Sequence, residues 1–97
     1  MPEETKYLLV INMYAGNGYV ETGRFYIGND ENEANALFDQ LSGEKIISTK
    51  VLLRLDFISR NAQGLDTVLG NLGCTLGEMG ENVKVILTET FRMINLS

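Results

Sequence analysis

Nearly every position from Lys6 to Tyr14 is apolar, and the β-branched Val10 and Ile11 in so short a run predict a strand buried on both faces. Ala15-Gly16-Asn17-Gly18 follows. Asn-Gly between apolar segments predicts a hairpin through a type I′ turn, with a return strand over 19–27 and a bulge at Gly23. Asp30 and Glu33 have the spacing of a capping box. Ala34, Leu37, Phe38 and Leu41 then recur at helical intervals, so a helix is expected over 31–42, with Gly43 as its C′ residue and a loop over 43–49.

From 50 to 59 the pattern alternates, with Val51, Leu53, Leu55 and Phe57 on one face of a strand and Leu52, Arg54, Asp56 and Ile58 on the other. Periodicity alone leaves 67–74 open between a short helix and a strand. An internal echo favours the strand. Leu8, Thr22, Gly28, Glu33 and Glu44 reappear at one constant offset as Leu53, Thr67, Gly73, Glu78 and Glu89, and Thr75 falls where Asp30 did. A second capping box at Thr75 and Glu78 starts a helix there and makes 67–74 the return strand of a second hairpin. Met79, Val83, Ile86, Leu87, Phe91 and Ile94 keep helical spacing, with a break expected near Thr88. Against that stand the β propensity of the segment 83–87 and the helix cost of Gly77 and Gly80, so 83–94 stays open between helix and strand. The expected fold is α+β: ββαββα, a two-layer antiparallel four-stranded sheet of order 2-1-3-4 with both helices on one face, and an internal repeat as its candidate origin.

The chain of 97 residues fits one domain spanning 1–97, and its hydrophobic share of 44% and charged share of 22% are those of a folded protein. With 13 acidic against 8 basic residues, net charge −5 and no basic cluster, nucleic acid and anionic membrane surfaces are disfavoured as partners. No apolar run approaches the roughly 20 residues that span a bilayer. The segment 1–5 has no signal-peptide pattern and Cys74 has no intrachain partner for a disulfide, so a cytoplasmic location is expected.

Histidine is absent, which removes Ser-His-Asp and Cys-His arrangements and the commonest zinc ligand. Cys74 is the sharpest catalytic candidate, because the helix start beside it would lower a thiol pKa; a small buried core residue is the stronger reading. Asp56, in a largely apolar strand, is the carboxylate candidate. The segment 29–33 is rich in oxygen ligands without calcium-loop spacing, so capping explains it. The glycines lack any nucleotide-loop spacing. Tyr14 and Tyr19 are placed to pack across the first hairpin turn.

No catalytic residue, cofactor site or metal site is assigned on this basis. The expectation is a non-enzymatic cytoplasmic module for self-association or protein-partner binding. The second sheet face, apolar in the first strand and carrying Leu52 and Ile58 in the third, would be covered by a second copy in a homodimer. The alternative is a small-molecule binding domain with its pocket at the sheet face or dimer cleft. Leu52, Arg54, Ile58, Tyr14 and Tyr26 are the candidate interface or ligand contacts.

Overall fold

Two hairpins, each followed by a helix, build one sheet in the computed structural model, which describes residues 4–45 and 51–95. The elements are β1 (Lys6–Tyr14), β2 (Tyr19–Tyr26), α1 (Glu31–Asp39), β3 (Leu53–Arg60), β4 (Asp66–Cys74) and α2 (Leu76–Asn95). The sheet order is β2-β1-β3-β4 and every neighbouring pair is antiparallel, the expected ββαββα architecture.

The first turn differs from a type I′ hairpin. The Ala15 N–H donates to the Gly18 carbonyl at 2.8 Å, and Gly16 (φ 89°) carries the positive φ while Asn17 does not. A four-residue loop therefore joins the strands, and glycine supplies the left-handed backbone at no steric cost. Beside Gly23 the register slips as expected: Ile11 pairs with Gly23 and Asn12 with Glu21, leaving Thr22 as the extra residue of a bulge. The second hairpin bulges at Leu69, between the Phe57–Gly70 and Ile58–Val68 pairs.

Both capping signatures operate. The Glu33 N–H donates to Asp30 Oδ1 at 2.9 Å; in the second helix the Glu78 N–H donates to Thr75 Oγ1 at 3.1 Å while the Thr75 N–H donates to Glu78 Oε1 at 2.9 Å. α1 stops at Asp39, short of the expected end, and Gly43 serves another purpose. The chain turns at Gly43 (φ 150°) so that Glu44 exchanges both backbone hydrogen bonds with Gly73, at 2.8 and 2.9 Å. A Cβ at position 43 would stand 2.9 Å from the Leu72 Cβ, so a close approach needs glycine here.

α2 is unbroken to Asn95. Thr88 and Thr90 turn their hydroxyls back onto the Lys84 and Ile86 carbonyls, both at 2.8 Å, which accommodates β-branched residues within the helix. Burial of Met79, Asn82 and Ile86 against the sheet outweighs the β propensity of the segment 83–87.

The core lies between the helices and one sheet face. Leu9 of β1, Leu55 and Phe57 of β3 and Leu72 of β4 meet Ala34, Leu37, Met79 and Ile86. Phe38 stacks on Phe57 with ring centroids 4.9 Å apart and presses on Gly70, where a Cβ would come within 3.0 Å of its ring. Strand alternation sends Leu8, Val10, Asn12 and Tyr14 to the opposite face, which carries no helix. Residues 46–50, which include the expected start of the third strand at Lys50, lie outside the described residues; β3 itself begins at Leu53.

Candidate functional site

The strand registers lay out the open sheet face in rows. Tyr26, Leu8, Ile58 and Val68 form one apolar row across all four strands, followed by a row of Arg24, Val10, Asp56 and Asn71 and a third of Glu21, Asn12, Arg54 and Gly73. Arg54, Ile58, Tyr14 and Tyr26 thus share the face on which the alternation put them. Leu52 does not belong to it, because it precedes β3 and lies exposed on the lead-in, with its carbonyl accepting from the Tyr14 N–H at 2.8 Å.

Leu8 and Val10 sit in the middle of this face and are only 6% and 5% exposed within the single chain. The cover is charged. Arg24 grips Glu21 through Nε at 2.9 Å and Nη2 at 2.8 Å, and Arg60 grips Asp66 through Nε at 2.6 Å and Nη2 at 2.9 Å. These two pairs, one on β2 and one joining β3 to β4, act on each other across β1. Arg60 helps hold the Glu21 carboxyl below its ordinary range after Arg24 itself, and Arg24 does the same for Asp66 after Arg60. The aliphatic stems of such arginines cover apolar surface while the guanidinium heads stay in water. The open face therefore already has a cover that does not require a second subunit.

Asp56 is buried on this face and fully engaged. It accepts from Arg54 Nε at 2.9 Å and Nη2 at 3.0 Å and from Asn12 Nδ2 at 2.9 Å. The Arg54 guanidinium also lies over the Tyr19 ring, 4.3 Å from its centroid, and Tyr19 meets Tyr14 edge-on at 5.5 Å, the cross-turn packing expected of them. Tyr26 donates to Asn29 Oδ1, and Asn29 Nδ2 donates to the Thr5 carbonyl at 3.1 Å, which ties the end of the hairpin to the N-terminal strand. The oxygen-rich segment 29–33 is thereby occupied with structural bonds. No group of three or more His, Cys, Asp or Glu side chains among the described residues is arranged to hold a metal ion.

Cys74 is buried where β4 ends, and its Sγ donates to the Ser42 carbonyl at 3.4 Å. The helix start beside it does not activate it. Burial pushes the thiol up to about 11; the Glu78 carboxylate adds to the shift, and the hydrogen bond from Asn82 opposes it. At neutral pH the thiol stays protonated, which is the condition of a core residue. Asn82, which the sequence did not single out, organises this corner: its Oδ1 accepts from the Ser42 N–H at 2.7 Å and its Nδ2 donates to the Ser42 carbonyl at 2.8 Å. That pair of bonds fixes α2 to the segment leaving α1.

A cleft of about 630 Å³ opens beside the start of α2, lined by Leu52, Val51, Glu44, Cys74, Leu76 and Glu78 among others. It lies at the end of β4 and not on the open sheet face.

The remaining apolar surface belongs to α2. Its residues divide between two sides: Met79, Asn82 and Ile86 are buried, with Val83 and Val85 packed beside them, whereas Leu76, Leu87 and Phe91 are 77%, 52% and 68% exposed. Leu87 and Phe91, four positions apart, share one side of the helix. Among the described residues no helix is long and apolar enough to cross a membrane. No family model, curated protein or solved structure matches this chain.

Proposed function

We propose that this protein is a non-enzymatic module that acts by associating with a second copy of itself, in the cytoplasm, as a platform for assembly or for a protein partner. The observation that carries this reading is the pair of large apolar side chains on one side of α2, Leu87 and Phe91, left in water by a domain that buries its other large core-forming residues well. A domain of this size gains stability from an added interface, and twofold dimers are the commonest way to form one. The states of Cys74 and Asp56 agree with a non-enzymatic role: the thiol is held protonated, and both carboxylate oxygens of Asp56 are taken by Arg54 and Asn12.

Sedimentation velocity over a dilution series tests the reading. A dimer that dissociates on dilution, or persists through it, is expected; a monomer at every concentration would refute it. The cleft beside α2 supports a second reading, small-molecule binding, through its concave shape and the apolar Leu52 and Leu76 at its lining. A mass adduct retained in native mass spectrometry and lost on Leu76→Asp would favour it.

A further inference from the structure

We infer that the two copies meet through α2, packed antiparallel against α2 of the partner subunit about a twofold axis near the midpoint between Ile86 and Leu87. This rests on the self-association proposed above and assigns the surface that carries it.

The argument begins with charge. α2 carries two ion pairs along its exposed flank, Glu81 with Lys84 at 3.9 Å and Glu89 with Arg92 at 3.3 Å. Read along the helix the signs run minus, plus, minus, plus. A half-turn about that midpoint carries Glu81 to the level of Arg92 and Lys84 to the level of Glu89, so each charge of one copy meets the opposite sign in the other. A parallel alignment in register would set each charge level with its own sign. Antiparallel packing also sets the helix dipoles head to tail.

The apolar positions agree with the same axis. Leu87 stands beside it, and Phe91 comes level with Val83 of the partner subunit, the half-buried residue that edges the exposed stripe. Gly80 lies one turn before Val83. A Cβ at Gly77 or Gly80 would meet nothing within 4 Å, so packing within the chain asks for glycine at neither position, although each costs the helix stability. A second helix lying along this side is a neighbour for which small residues leave room. The open sheet face offers no comparable vacancy, because its central Leu8 and Val10 are covered by the chain itself.

Two experiments test the surface. In a Cys74→Ala background, Leu87→Cys is treated with a short bismaleimide that spans the ~8–10 Å between packed helices, with Ile58→Cys on the sheet face as the control. Efficient covalent dimer from Leu87→Cys with little from Ile58→Cys is expected. In the wild-type background, Glu81→Arg and Arg92→Glu should each weaken the dimer roughly tenfold in sedimentation equilibrium, and the double variant should recover most of that loss. A double variant no better than the single ones would overturn the antiparallel arrangement. Linking through Ile58→Cys in place of Leu87→Cys would remove α2 as the surface while self-association stood. A monomeric wild type would overturn both.

Discussion

The open sheet face and the outer side of α2 both carry apolar residues away from the core, yet they handle them differently. On the sheet, β1 presents Leu8 and Val10 between strands whose long charged side chains close over them, and the ion pairs of Arg24 and Arg60 hold that cover in place. On α2 the neighbours of Leu87 and Phe91 are the helix's own small and charged residues, which stand beside the stripe instead of crossing it. A sheet sets cross-strand neighbours about 5 Å apart, so an arginine on one strand reaches over the next. A lone helix face has no such flanking strand. An apolar residue in a central strand can thus be satisfied by its own sheet, whereas one on an outer helix side needs another surface.

The largest effect that sharpens this contrast is expected at Asp56. Asp56→Ala leaves Arg54 and Asn12 without their acceptor and should cost about 2–3 kcal/mol in urea unfolding while the assembly state at native conditions is kept. A loss below about 0.5 kcal/mol would mean that the face is not held by this network. Gly80→Ala has the opposite sign for the isolated fold. Nothing crowds the new methyl group, so the helix should gain about 0.5–1 kcal/mol in unfolding experiments run at high dilution, and association should weaken. Leu87→Gln should change single-chain stability by no more than about 0.5 kcal/mol, as for other exposed positions, and reduce dimer content; a large stability loss would place Leu87 in the core.

Acid supplies the smallest effect. The Glu21 and Asp66 carboxyls are held below their ordinary values of 4.5 and 3.8 by Arg24 and Arg60. A carboxyl depressed in the folded state contributes stability above its unfolded pKa and loses it as pH falls through the folded one. The cover should therefore persist at neutral pH and loosen only below about pH 4, and replacing Glu21 by Gln should flatten that part of the stability profile. Because these pairs are surface pairs, high salt should mimic the acid effect weakly.

Much of the fold was legible because its signals are local. The apolar run of β1, the capping residues Asp30 and Thr75, and the alternation of β3 act within a few positions, and they were enough to order the strands. What escaped depends on partners distant in the chain. Asn82 reads as a polar helix position suited to solvent until Ser42 is seen 40 residues away. The pairing of Asn12 with Asp56 needs the register between β1 and β3. Gly43 reads as a helix C′ residue, and only the approach of Leu72 shows its use. The spacing on α2 grouped Met79, Val83, Ile86, Leu87 and Phe91 together, and the sheet's position separates the buried residues from the exposed ones. Arg54, Ile58, Tyr14 and Tyr26 were placed on one face by alternation alone; the charged cover over that face was not foreseen, because arginines on a strand carry no sign of where their stems will lie.

Native mass spectrometry of the wild type, Ile58→Asp and Leu87→Asp at one concentration tests most directly whether the two surfaces differ as described. Dimer, dimer and monomer, in that order, are predicted, with all three proteins folded by circular dichroism. A monomer from Ile58→Asp together with a dimer from Leu87→Asp would contradict the account and return the interface to the open sheet face.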